Sequence, residues 1–247
     1  MLESFENGLT AAVIGSTGGI GRAFVDHLAG AEHVGKVYAL SRSARCPAHP
    51  KVAGGKIDLA DEASIEAAAA AIKQAGPVDL VLVPVGVLLD EDRGIRPEKS
   101  WRNLSPDAMR AVFETNTIGP ALAMKHFLPL LRRDAKACFA ALSARVGSID
   151  DNQIGGWHTY RASKAALNMI LRNGAIELSR KAGDALCVGL HPGTVDTALS
   201  KPFQRNVPEG KLFTPAYSAE RMLTVIDGLS SGDSGHLFAY DGERIPF

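Results

Sequence analysis

Tyr160 and Lys164 bracket the run Tyr160-Arg161-Ala162-Ser163-Lys164. Four residues apart on a helix, they share a face. An ammonium held beside a phenol stabilises the phenolate and lowers the tyrosine's pKa. This spacing therefore makes Tyr160 a candidate proton donor and acceptor near neutral pH. Any amphipathic helix can carry such a pair on a solvated face. Three features upstream lift it above that: a glycine-rich turn from Gly15, then Asn116, then Ser143. Asn116 falls inside a helical pattern, where asparagine is slightly unfavourable, which modestly supports a special role. Ser143 ends an apolar run, a place where small polar residues are common anyway.

The turn Gly15-Ser16-Thr17-Gly18-Gly19-Ile20-Gly21 follows an apolar run and opens a helical pattern. That is the context a dinucleotide-binding turn requires. Bare glycine backbone lets a pyrophosphate approach, and a helix N-terminus offers free N–H groups and a positive dipole end. The spacing is G-x-x-x-G-x-G. The next strand ends Ala39-Leu40-Ser41-Arg42-Ser43, with no acid to accept from a ribose 2′-hydroxyl. Ser41 and Arg42 suit a 2′-phosphate, because a guanidinium matches phosphate geometry, so the reading is NADP over NAD. Alternatively, Arg42 is a solvated arginine at a strand end. Asp58 and Leu59 either meet the adenine edge, or Asp58 caps the helix that follows.

The elements needed to position these residues alternate along the chain. Strands are expected at Thr10 to Ile14, Lys36 to Leu40, Lys56 to Leu59, Val78 to Val85, Lys136 to Leu142, Leu186 to Leu190 and Leu237 to Tyr240. Helices are expected at Gly19 to Gly30, Asp61 to Gln74 (Asp61 as N-cap), Trp157 to Lys181 and Ala219 to Leu229. Another starts at Ser105-Pro106 and runs with interruption to Arg132, bending at Gly119-Pro120. This βαβ alternation predicts an α/β Rossmann fold, a doubly wound, mostly parallel sheet of about seven strands with helices on both faces. One dinucleotide-binding domain is expected over residues 1–247. The aperiodic stretch 197–215 is a candidate lid over a pocket, or a plain surface loop.

Composition agrees with one globular domain: 247 residues, 46% hydrophobic and 22% charged. Lys+Arg and Asp+Glu both number 27, so nothing points to nucleic acid or an anionic membrane as partner. No apolar run reaches membrane-span length, and Met1 to Thr10, with Glu3 and Glu6, does not read as a signal peptide. Three cysteines, Cys46, Cys138 and Cys187, without C-x-x-C, point to a reducing, cytoplasmic setting. No His/Cys/Asp/Glu cluster has metal-ligand spacing, so no metal is expected.

Taken together, the residues resemble the short-chain dehydrogenase/reductase family (SDR) in its single-domain form, across essentially the whole chain. The matching pieces are the Gly15–Gly21 turn, Asp58, Asn116-Thr117-Ile118-Gly119, Ser143, Tyr160 with Lys164, and His191 to Thr197. Two stretches look like the C-factor and sniffer-type carbonyl reductase branch: Gly147 to Asn152 leading to Gly155-Gly156-Trp157, and Ser234-Gly235-His236 with Tyr240 to Phe247.

The resemblance implies an NADP(H)-dependent oxidoreductase acting on a small carbonyl or alcohol substrate. It casts Tyr160 as proton donor to a substrate carbonyl oxygen. Lys164 would depress the tyrosine pKa and bond the nicotinamide ribose, and Ser143 would orient the carbonyl. Asn116 would hold a water by its backbone in a relay to Lys164. Pro192, Gly193, Val195 and Thr197 would fix the carboxamide end of the nucleotide, and Gly86 would admit the adenine ribose. Where many members carry Asn-Asn-Ala-Gly, this chain has Val83-Pro84-Val85-Gly86. The two lost amides must therefore be replaced, and Pro84 should lie at or past the strand end. That departure, with the C-factor likeness, keeps a second reading open: a regulatory protein that senses a dinucleotide. Arg145 either faces the pocket or pairs with an acid; Trp157 is either a pocket wall or a helix-start packing residue. His158 and His191 flank the site and are read as structural or substrate-facing. Homo-oligomer and monomer both remain possible.

Overall fold

The computed structural model describes residues 2–247. Its main sheet is built on strands whose side chains are covered on both faces, which is why they read as unbroken apolar runs. β1 (Leu9–Ile14), β4 (Leu80–Val83) and β5 (Ala137–Leu142) are the centre, and every residue of β4 and β5 is buried. With β2 (Val34–Ser41), β3 (Val52–Lys56), β6 (Ala185–His191), β9 (Leu237–Ala239) and β10 (Arg244–Ile245) they form one sheet of 8 strands, ordered β10-β9-β6-β5-β4-β1-β2-β3. All pairings are parallel except β9 with β10. The sheet thus exceeds the expectation by the two-residue β10, too short to show periodicity.

Helices α1 (Gly19–Gly30) and α6 (Pro215–Gly228) cover one face, where Phe24, Leu28, Met222 and Ile226 meet β-strand residues such as Leu82. Helices α2 (Glu62–Lys73), α4 (Gly119–Phe127) and α5 (His158–Ser179) cover the other, around Ile65, Phe127, Phe139 and Leu167. Burying each such side chain stabilises the fold by roughly 1.5–3 kcal/mol. Helix starts follow local chemistry: the Asp61 side chain accepts from Ala63 N, and Ser105 accepts from Ala108 N ahead of Pro106.

Three expectations need correction. The third strand lies at Val52–Lys56, not at 56–59. Its Gly54-Gly55 pair disguised it, yet a Cβ at Gly55 would stand 2.6 Å from Leu40 Cδ2, and one at Gly54 2.6 Å from Ala44 O. The close approach of neighbours demands glycine against β-propensity. Second, the interruption expected in the helix from Pro106 falls at Glu114–Ile118, just before Gly119-Pro120. α3 (Pro106–Phe113) passes into a π-helical turn at Glu114–Ile118, and α4 resumes at Gly119. Third, 197–215 is partly ordered: it holds a 3₁₀ turn, Lys201–Asn206, and β8 (Leu212–Phe213), which pairs with β7 (Thr194–Val195). Among the described residues, no helix is long and apolar enough to cross a membrane.

The chain winds from β1 outward to β3, then returns to β4 and winds the other way. The reversal lies between β1 and β4, and the crevice beyond the carboxyl ends of strands at such a point is where ligands bind in open α/β sheets. Pro84 lies immediately past β4, where its missing N–H costs no ladder bond.

Candidate active site

The glycine turn leaves β1 at Gly15, whose φ of +97° only glycine adopts without strain. A Cβ on Gly21 would stand 2.1 Å from Gly15 O, so α1 can only pack back on the turn without one. Gly18 and Gly19 are exposed, and no side chain caps the start of α1. Bare, uncapped N–H groups at this end form a cradle for an anion. Thr17 is exposed and Ile20 half-buried there, but the Ser16 hydroxyl turns inward and donates to Leu40 O at 3.1 Å. Across the mouth, a Cβ on Gly19 would stand 2.8 Å from Thr197 Cγ2, so the turn and the loop after β6 adjoin. Pro192, Gly193 and Thr197 are half-buried in that loop, Val195 is buried, and Pro192 O accepts from Ser218 Oγ at 2.7 Å.

Ser41 is buried at the end of β2, and Arg42 is exposed beside it. Asp58 is engaged in the turn before α2: its Oδ1 accepts from Ala60 N and its N–H donates to Ser64 Oγ. Asp61, not Asp58, caps the helix. Leu59 lies against α4, where a Cβ on Gly119 would stand 2.9 Å from Leu59 Cβ.

The wide π turn carries Asn116 and Thr117, both buried. The Asn116 amide accepts from Val87 N (2.7 Å) and donates to Val87 O (2.9 Å) and Ser163 Oγ (3.1 Å). Thr117 Oγ1 donates to Ser163 O. This pair of hydrogen bonds to Val87 secures the segment after β4, where the sequence has Val83-Pro84-Val85-Gly86. A Cβ on Gly86 would stand 3.3 Å from Lys164 Nζ and 3.5 Å from Asn116 Oδ1, so its bareness also makes room for the lysine.

Tyr160 and Lys164 stand one turn apart on α5, both buried. Lys164 Nζ lies 5.9 Å from the centre of the Tyr160 ring and donates to Leu142 O at 2.7 Å. Burial pushes the Tyr160 phenol up to about 12 and the Lys164 ammonium down to about 7. The expected lowering of the tyrosine is therefore reversed in the free protein. Desolvation disfavours both charged forms and is the cause of both shifts. Ser143, just past β5, is 3% exposed, and its hydroxyl donates to Asn168 Oδ1 at 2.6 Å. Leu88 and Ala144 pack with Tyr160, joined by Val146, Trp157, Leu199 and Phe203. The segment 197–215 thus lays two apolar side chains over the tyrosine.

Trp157 packs at the helix start. It occupies the N-cap of α5 at φ +48°, and its ring stands 6.3 Å from Tyr160 and 5.2 Å from Phe203. Arg145 pairs with Asp151 and Glu243 rather than standing free for an anionic substrate. His191, at the end of β6, is pushed down to about 4 by burial and then by Arg145, so it is neutral at physiological pH.

Sequence reasoning missed Glu98. Its carboxylate is 5% exposed and accepts from both Thr159 N and Thr159 Oγ1, while its backbone O accepts from Trp157 N at 2.6 Å. A distant loop therefore caps the helix that carries Tyr160, and nothing local in Pro97-Glu98-Lys99 signals it. Among the described residues, no three His, Cys, Asp or Glu side chains come together to hold a metal ion.

A family model described as short chain dehydrogenase matches residues 9–208. The 1-hydroxy-2-glutathionyl-2-methyl-3-butene dehydrogenase of Rhodococcus sp. (strain AD45) is 35% identical over 187 residues, covering 75% of this chain and 76% of that protein. C-signal of Myxococcus xanthus is 39% identical over 139 residues, 56% of this chain and 78% of that one. The crystal structure of NADPH-bound carbonyl reductase from chicken fatty liver superposes with a TM-score of 0.82 at 28% identity, covering 98% of this chain and 100% of that one.

Proposed function

The chain belongs to the short-chain dehydrogenase family, and on that premise we propose that it is an NADP(H)-dependent carbonyl reductase, or the alcohol dehydrogenase of the reverse reaction. The observation that carries the reading is the buried Tyr160 hydroxyl one helical turn from Lys164, packed among apolar side chains that include Leu199 and Phe203. A phenol with a pKa near 12 keeps its proton at neutral pH and is poised to give it to a carbonyl oxygen as negative charge develops there. The Ser143 hydroxyl donates a second hydrogen bond to the same oxygen. Lys164, titrating near 7, returns the proton to Tyr160 and bonds the nicotinamide ribose. Asn116 fixes Val87 and Ser163 around the lysine and supplies its backbone to a water in the relay.

The residues present fit a bound dinucleotide. Thr17, Gly19, Ile20 and Gly21 would offer the bare cradle, Gly15 and Ser16, bonded to Leu40 O, would shape the turn that leads to it, and Ser41 and Arg42 would meet a 2′-phosphate without an acid to repel it. Asp58, Leu59 and Gly86 would hold the adenosine side, and Pro192, Gly193, Val195 and Thr197 the carboxamide side. When bound, NADPH supplies the hydride. The NADPH in the chicken carbonyl reductase structure supports this choice of nucleotide. Residues 1–247 act as one domain, with 197–215 as a lid.

The likeness to C-signal supports a second reading, in which the chain senses a dinucleotide and turnover is incidental. Fluorescence titration with NADPH and NADH, then NADPH oxidation against a panel of aldehydes and ketones, separates the two. The reductase reading expects tighter binding of NADPH than NADH, with turnover. Binding without turnover of any carbonyl favours the sensor; no binding of either nucleotide refutes both.

A further inference from the structure

Asn168 sits on α5 one turn beyond Lys164, on the same face, and is 3% exposed. Its Oδ1 accepts the Ser143 hydroxyl proton at 2.6 Å, and its Nδ2 is buried without a hydrogen-bond partner. A serine hydroxyl has one proton to donate and two lone pairs with which to accept. In this arrangement the proton is committed to the helix, so none is left for a substrate oxygen. Turning the amide through 180° about its terminal torsion exchanges Oδ1 and Nδ2 at little steric cost. Nδ2 then gains an acceptor in Ser143 Oγ, Oδ1 takes its place unpaired, and the serine proton is freed from the helix.

We propose that Asn168 is a positioning residue for Ser143: its amide turns when a carbonyl enters, donates Nδ2–H to Ser143 Oγ, and so directs the serine proton onto the substrate oxygen. The inference rests on the reductase reading above and adds a residue to it. No bond is made or broken in the switch; one hydrogen bond reverses direction. The polarised Oγ is also a stronger donor, because hydrogen bonds in a chain reinforce one another.

The test is a double-mutant cycle on carbonyl reduction, using the panel ketone or aldehyde that the wild type reduces fastest. Ser143→Ala is expected to lower kcat about 100-fold, as loss of one donor to a developing oxyanion does. Asn168→Leu, which keeps the bulk and removes the amide, should lower kcat roughly 10-fold or more with KM, NADPH affinity and Tm little changed. In the Ser143→Ala background the same substitution should have no further effect. Asn168→Asp gives a second readout. Its ionised carboxylate can only accept and pins the serine proton, so kcat should fall with rising pH across the carboxyl's titration, a limb absent from the wild type. An Asn168→Leu enzyme that turns over like wild type, or an equal loss with and without Ser143, overturns the proposal and leaves the reductase reading intact. An inert wild type, or a Ser143→Ala enzyme at full rate, overturns the reading of the site and the proposal with it.

Discussion

At the scale of single residues, burial decides the titration of the site. Lys164 is held near 7 instead of 10.5 by desolvation, buried where its Nζ donates to a neutral carbonyl, Leu142 O. Its folded pKa is lowered, so between about 7 and 10.5 the unfolded chain binds more protons, and stability rises with pH across that window. It is lost as pH falls toward 7. Replacing Lys164 by Met should flatten this part of the stability curve and raise the neutral-pH denaturation midpoint of the nucleotide-free protein. Urea unfolding at pH 6, 7.5 and 9 reads it; parallel curves for variant and wild type would contradict the assignment. Tyr160, Lys164, Ser143 and Asn116 were legible in the sequence because their types and spacing carry chemistry. Asn168 and Glu98 were not. Each acts through a partner 25 or 61 positions away, and no periodicity encodes such a pairing.

At the scale of elements, the start of α5 is the least self-sufficient part of the site. Its N-cap residue is Trp157 in a left-handed conformation, which supplies no side-chain cap. Such a conformation costs on the order of 1 kcal/mol for a non-glycine residue. The Glu98 carboxylate compensates from another loop. Glu98→Ala should destabilise the fold by about 1–2 kcal/mol, the usual cost of a lost cap, and lower kcat by loosening Tyr160. Glu98→Gln, which keeps one acceptor, should recover part of both. Equal stability and rate in Glu98→Ala would remove Glu98 from the account. The Ser105 and Asp61 caps were readable because their partners are local. The π turn at Glu114–Ile118 was not, since it is fixed by what Asn116 and Thr117 bond across space, and the sequence pointed instead to Gly119-Pro120. β3 was shifted for a similar reason: Gly54 and Gly55 answer to neighbours, not to strand propensity.

At the scale of the molecule, the reversal between β1 and β4 sets the glycine turn against the segment after β4, where a Cβ on Gly15 would stand 2.7 Å from Val85 Cγ2. The glycine turn and the loop after β6 meet where Gly19 faces Thr197. Gly18→Asp separates binding from folding there, since a Cβ on Gly18, the N-cap of α1, would meet Gly15 O only at an ordinary 3.5 Å. An acid at the N-terminus of α1 favours the helix dipole, by typically 0.3–1 kcal/mol, yet would repel a phosphate. We expect Tm to hold while NADPH affinity falls more than 10-fold; retained affinity on titration would move the nucleotide elsewhere. The doubly wound architecture was legible from the alternation of apolar runs and helical patterns. The eighth strand and the β7–β8 pair were not, because two-residue strands carry no period.

The central claim is that Tyr160 delivers the proton in a hydride-transfer reaction, and comparing NADPH-driven carbonyl reduction by the wild type and Tyr160→Phe tests it most directly. The account predicts turnover by the wild type, a loss of at least about 100-fold in kcat for the variant, and NADPH affinity unchanged between them. Turnover undiminished in Tyr160→Phe would contradict it.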